Sequence, residues 1–159
     1  DEQIANGFAN AVNPARLELL SEKPIVLLDG AHNPNGIEAL KSAIQKFLPN
    51  KYIIAITGKL ADKDVSTSVK LLDGVFDRVY TVPVHNPRAM HPVKLMQQYA
   101  RFVDDTVTFE SAEHAFDMAF EQAEKTDCAV VICGSLYLAG EIRPYIINKI
   151  KAENESAEK

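Results

Sequence analysis

Five apolar runs of strand length alternate with amphipathic stretches of helix length along this chain, and that alternation is the strongest constraint on its fold. The runs are Ile25-Val-Leu-Leu-Asp29, Tyr52-Ile-Ile-Ala-Ile-Thr57, Arg78-Val-Tyr-Thr-Val82, Thr106-Val-Thr-Phe109 and Ala129-Val-Val-Ile-Cys133. Two are apolar without interruption, as strands buried on both faces are. Strands separated by helices pair in parallel, so the expected class is α/β: three layers, with a mostly parallel sheet of about six strands flanked by helices. A short strand around Arg16-Leu-Glu-Leu-Leu20 would supply one edge.

The clearest helix follows the first run. Asn33 stands at its N-cap, Pro34 at its first position, and Ile37, Leu40, Ile44, Phe47 and Leu48 form its stripe up to Pro49. A second helix opens near Asp64 with Val69 and Leu72 and stops at Gly74. A third runs from Pro92 with Met96, Tyr99 and Val103 inward. A fourth runs from Ser111 with Ala112, Ala115, Phe116, Ala119 and Ala123. The last opens at Ser135 with Ile142, Ile146 and Ile150, and Pro144 is expected to kink or split it. Residues 1–150 read as one domain, with 1–13 a helical lead-in and 151–159 a charged, unstructured tail.

The 159 residues suffice for a core of their own, with about 69% of the unfolded surface buried at this size. Seventeen Lys and Arg against 22 Asp and Glu give a formal charge of −5, without the basic excess of a nucleic-acid or anionic-membrane binder. No apolar stretch reaches the roughly 18 residues of a membrane span. Cys128 and Cys133 share one strand, roughly 16 Å apart if extended, beyond disulfide reach. Two buried thiols in a reducing, cytoplasmic compartment are expected. The chain opens on Asp1 rather than Met, as a processed product or excised fragment would.

In an open parallel sheet, ligands bind beyond the carboxyl ends of the strands, which selects the residues to weigh. At the first such end, Asp29-Gly-Ala-His-Asn-Pro34 offers a carboxylate for ribose hydroxyls, His32 for a base or phosphate, and a helix start that favours anions. Turn and cap chemistry explains the same residues. Gly58-Lys-Leu-Ala-Asp-Lys-Asp64 reads as a solvated loop, whose charges could also bind a substrate or bridge to another domain. His85-Asn-Pro-Arg88 reads as a surface turn or as the seat of a carboxylate clamp at Arg88. Gly134-Ser-Leu-Tyr-Leu138 places Ser135 at a cap or at an anion site. Arg16 is a phosphate-binding candidate if it folds back toward these loops, and His91 and His114 read as structural. The phosphate-cradling G-x-x-x-x-G-K-[ST], the dinucleotide G-x-G-x-x-G, a zinc-type Cys/His cluster and a G-x-S-x-G elbow are all missing. No nucleophile or activating base is evident, so these residues make half of a site.

Pro14-Ala-Arg-Leu-Glu18, Leu28-Asp-Gly-Ala-His-Asn-Pro34, Ala61-Asp-Lys-Asp64, Asn86-Pro-Arg-Ala89 and Cys133-Gly-Ser-Leu-Tyr-Leu-Ala-Gly-Glu141 occur in this order. Together they resemble the C-terminal domain of the folylpolyglutamate synthase/dihydrofolate synthase family, in the Mur ligase superfamily, over about residues 4–150. The resemblance implies a Rossmann-like fold and an ATP-dependent ligase, in which an acyl phosphate on folate or dihydropteroate is attacked by the amine of L-glutamate. It implies an N-terminal P-loop ATPase domain as partner, which would bind most of the ATP and Mg2+; the chain alone would be inactive and would supply no catalytic residue and no metal ligand. Carried over by matched position, Arg16, Asp29 and His32 would bind ATP, and Arg88 and Ser135 would bind glutamate. Where the family commonly has Gly, this chain has Ala15, and a positive φ there would cost roughly 1 kcal/mol. The same domain in another Mur-type amino-acid ligase, and a stand-alone nucleotide- or anion-binding module, remain as alternatives.

Overall fold

The uninterrupted apolar runs become the centre of a single sheet. The computed structural model describes residues 14–61 and 64–157; the expected lead-in at 1–13 lies outside them, as do Asp62 and Lys63 of the Gly58–Asp64 loop. The elements are β1 (Glu18–Glu22), β2 (Ile25–Leu28), α1 (Pro34–Phe47), β3 (Tyr52–Thr57), α2 (Val65–Leu71), β4 (Arg78–Thr81), α3 (Pro92–Tyr99), β5 (Asp105–Thr108), α4 (Ala112–Lys125), β6 (Cys128–Cys133) and α5 (Leu136–Ala157). The strand order is β1-β2-β6-β3-β4-β5. β1 runs antiparallel to β2 at one edge, and the other neighbours are parallel. This is the expected α/β architecture, six strands included.

Side-chain alternation divides the core in two. Ala129, Val131 and Cys133 of β6 face the layer of α1, α2 and α3, with Ile37, Leu40, Val69, Leu95 and Tyr99. Val130 and Ile132 face the opposite layer, with Phe116 and Phe120 of α4 and Leu138, Ile142 and Ile146 of α5. All six residues of β6 are buried, as are the four of β2. Cys128 and Cys133 are free and buried at opposite ends of β6.

Local chemistry explains most helix ends. The Asn33 side chain accepts the Gly36 N–H at 2.9 Å with Pro34 in the first turn, and Ser111 accepts the His114 N–H at 3.1 Å. The His91 ring caps α3 by accepting the Val93 N–H. Leu95 and Tyr99 are the residues α3 buries; Met96 is half-buried, and Val103 packs from beyond the helix end.

Three features depart from expectation. The edge strand begins at Glu18 rather than Arg16, because Ala15 (φ 58°) and Leu17 (φ 48°) take left-handed backbone angles that extended structure excludes. Ala15 thus adopts the conformation for which glycine is favoured. Second, α5 runs unbroken through Pro144. Side-chain anchors on both sides hold it: Arg143 donates to Glu18 at 2.6 and 3.0 Å, Tyr145 donates to Asp117 at 2.8 Å, and Ile142 and Ile146 are fully buried. Third, residues 151–157, expected to be unstructured, continue this helix. Lys149 lies 3.6 Å from Asp117 and 3.7 Å from Glu153, the latter at i,i+4 spacing.

Glu18 ties three elements together, since its carboxylate also accepts the Ala15 N–H at 3.0 Å. The hydrogen bonds from Arg143 hold its pKa below the ordinary value, against the opposing effect of burial. A depressed carboxylate contributes stability at neutral pH that disappears as pH falls through its folded-state pKa. Glu18→Gln should therefore lower the melting temperature at pH 7 by about 2–4 °C, for a loss of roughly 1 kcal/mol. The difference from the unaltered chain should shrink in thermal melts as the pH is taken below the ordinary glutamate range, and disappear once the depressed Glu18 pKa is passed.

Candidate functional site

The direction of the helices locates the site. The loops after β2, β3 and β4 lead into helices on one face of the sheet, whereas those after β5 and β6 lead to the other. β6 lies between β2 and β3, so the chain leaves these neighbouring strands toward opposite faces and opens a crevice beyond their carboxyl ends, where ligands of open α/β sheets sit. A cavity of about 680 Å³ occupies that crevice. His32, Asn33 and Pro34 line it from the β2–α1 turn, Lys59, Leu60 and Ala61 from the end of β3, and Gly134 through Tyr137 from the β6–α5 turn. Arg88 and residues of α2 complete the wall.

The crevice depends on a close approach of two turns. Gly134 has φ 109°, and a Cβ there would lie 2.6 Å from Thr57 Oγ1 and 3.1 Å from the Gly58 carbonyl oxygen. Only glycine meets both the backbone angle and the contact.

Asp29 closes β2 and is buried. Its Oδ2 accepts the Leu17 N–H at 2.8 Å and its Oδ1 the Ala31 N–H at 2.7 Å. The Gly30 N–H donates to the Ala15 carbonyl at 2.6 Å. The carboxylate thus fastens the Pro14–Leu17 segment across the end of the sheet and brings Arg16 to this rim. Burial pushes the Asp29 pKa up, and the two amides, with the charges of Arg16 and His32, pull the other way. His32 is exposed, its Nδ1 3.0 Å from the Gly30 carbonyl oxygen. Arg16, Asp29 and His32 therefore form one group; of the three, only His32 also lines the cavity.

Arg88 and Ser135 meet His32 in the cavity. The Arg88 N–H donates to Asn86 Oδ1 at 2.9 Å, so the expected Asn-Pro turn is present and presents an exposed guanidinium. Ser135 is 2% exposed, and its Oγ accepts the Tyr137 N–H at 3.1 Å at the start of α5. Lys59 is not solvated, as its loop suggested, but 3% exposed. It continues the alternation of Ile53, Ala55 and Thr57 toward the α1–α3 layer, the signal that could have found it. Among the described residues no three His, Cys, Asp or Glu side chains converge as metal ligands.

A sequence model described as "Mur ligase, glutamate ligase domain" matches residues 15–136, most of the chain. The chain belongs to this family. It is 30% identical to the dihydrofolate synthase/folylpolyglutamate synthase of Escherichia coli, over 92% of this chain and 33% of that protein. To the folylpolyglutamate synthase of Lacticaseibacillus casei it is 35% identical, over 92% and 32%. E. coli FolC in complex with DHPP and ADP superposes with a TM-score of 0.79 at 29% identity, over 89% of this chain and 33% of that one. Mycobacterium tuberculosis folylpolyglutamate synthase complexed with ADP and AMPPCP gives 0.79 at 29% identity, over 87% and 33%. The chain spans about a third of the length of the curated relatives it matches and corresponds to their C-terminal domain.

Gly134→Ala should lower the melting temperature by roughly 5–10 °C, because backbone strain and overlap with Thr57 act together. Circular dichroism melts of the chain check this.

Proposed function

We propose that this chain is the nucleotide- and substrate-closing domain of an ATP-dependent ligase that joins L-glutamate to folate or dihydropteroate. The observation that carries the reading is the convergence of His32, Arg88 and Ser135 on one cavity at the crevice of the sheet. The kinship with folylpolyglutamate and dihydrofolate synthases, and the ADP complexes among those relatives, support it.

In the proposed reaction the pterin carboxylate attacks the γ-phosphorus of ATP and ADP leaves. The glutamate amine then attacks the acyl carbon, losing a proton, and inorganic phosphate leaves. Such steps are accelerated chiefly by positioning and by charge placed where it develops. Arg16 would approach the nucleotide phosphates. The Asp29 carboxylate, held by two amides, would keep a free lone pair on each oxygen for the ribose hydroxyls. His32 would lie beside the nucleotide. Arg88 would grip a carboxylate of glutamate, with the start of α5 at Ser135 adding its N–H groups. The P-loop and the magnesium ligands belong, in this reading, to an N-terminal ATPase domain. The free thiols fit a reducing compartment such as the cytoplasm.

The test is ATP turnover by the full-length protein carrying this domain. It should require L-glutamate together with dihydropteroate or folate; turnover only with a peptidoglycan nucleotide precursor would overturn the reading. Arg88→Ala should raise KM for glutamate about 10- to 100-fold, for a loss of roughly 1.4–3 kcal/mol. His32→Ala should instead raise KM for ATP, and both variants should melt like the parent.

A further inference from the structure

The cavity holds a buried cation that no described residue neutralises. Lys59 is 3% exposed and lines the cavity, yet its ammonium has no hydrogen-bond or carboxylate partner among the described residues. The titratable group that acts on it, the Cys133 thiol, is itself pushed up to about 12 by burial and is uncharged at neutral pH. Burial pulls the Lys59 pKa down, as expected of an ammonium without a counter-ion. The Ser68 hydroxyl, also in the cavity wall, is buried and without a partner among the described residues. Buried polar groups are ordinarily paired, and unpaired ones call for an explanation.

Backbone pairing sets Lys59 beside a second cation. Leu60 and Ala89 form an antiparallel bridge, flanked by hydrogen bonds from the Met90 N–H to the Lys59 carbonyl (2.8 Å) and from the Ala61 N–H to the Arg88 carbonyl (2.7 Å). Leu60 and Ala89 pack into the α4–α5 layer. Lys59 and Arg88 therefore share the opposite face as a diagonal pair, a relation that separates residues by about 7–8 Å. Arg88 also has no acidic partner among the described residues, and Asp64 is the only described acidic residue in the wall.

We propose that Lys59 is a specificity-determining residue of the cavity, its ammonium and the Arg88 guanidinium holding the two carboxylates of one dicarboxylic amino acid, with Lys59 receiving the more deeply placed. This rests on the ligase reading for the identity of the amino acid, and on the side chains alone for the recognition of a dianion. Two cations on one face, lacking counter-charges among the described residues, suit a ligand that brings two charges of its own. The ligand would also restore the charge balance that burial of Lys59 upsets.

Two measurements test this. In the full-length ligase, Lys59→Met should raise KM for L-glutamate at least 10-fold, leave KM for ATP unchanged, and reduce the preference for glutamate over glutamine. An unchanged KM for glutamate, or a rise confined to ATP, overturns the proposal. In the 159-residue chain, Lys59→Met should melt about 2–4 °C higher than the parent, since an apolar side chain replaces an unpaired buried charge. L-glutamate and glutarate should raise the melting temperature of the parent and of neither Lys59→Met nor Lys59→Gln. A lysine serving only the fold would make Lys59→Met melt lower, which overturns the proposal. So does stabilisation of parent and variants alike, stabilisation by inorganic phosphate but by no dicarboxylate, or no stabilisation of the parent. Should the full-length protein fail to ligate glutamate, the ligase reading falls, and the melting measurements still decide the role of Lys59.

Discussion

Burial of β6 on both faces is the constraint from which the rest of this domain follows. A strand with no solvent-facing side must be covered by two layers of helices. Because β6 is inserted between β2 and β3, the helices that cover it reach it from opposite directions. The crevice between the diverging turns is therefore a topological consequence of where β6 sits. Gly134 lets those turns close on Thr57 and Gly58 without strain, so one residue without a side chain sets how narrow the crevice becomes.

The two halves of the candidate site differ in how they are held. At the Asp29 rim, carboxylate, amides and turn carbonyl satisfy one another, and Arg16 is brought there by the Leu17–Asp29 and Gly30–Ala15 hydrogen bonds on either side of it. In the cavity, Lys59, Ser68 and Arg88 have no such closure among the described residues. A satisfied network rigidifies, whereas unpaired buried groups weaken a fold unless something else pairs them. The rim thus resembles a preformed seat and the cavity a place completed from outside.

Much of this was legible in the sequence. The continuous apolar runs fall on the observed strands, because strands buried on both faces have nowhere to hide a polar residue. Asp29, His32, Arg88 and Ser135 were singled out because they stand where such strands end, and the sheet brings three of them to one cavity and the fourth to its rim. The misses share a cause in tertiary contacts. Helix α5 survives Pro144 through Arg143–Glu18 and Tyr145–Asp117, partners far away in sequence. The edge strand starts late because two non-glycine residues take positive φ; the family's glycine hinted at this for Ala15, and nothing in the local sequence announces it for Leu17. Lys59 sits in a charged run whose composition reads as solvated, although its parity with Ile53, Ala55 and Thr57 points it toward the core.

The contrast between rim and cavity also bears on what Asp29 can contribute. Each carboxylate oxygen already accepts one backbone N–H, so its orientation is fixed before any ligand arrives, while burial raises its pKa against the pull of those hydrogen bonds. A hydroxyl pair offered to it would meet acceptors needing no reorganisation, which is how preorganised polar sites gain their strength. The same bonds make Asp29 a structural clasp for the Pro14–Leu17 segment. Its loss would therefore weaken the fold and any nucleotide contact together, whereas the loss of Arg88 or Lys59 would leave the fold's own bonds in place.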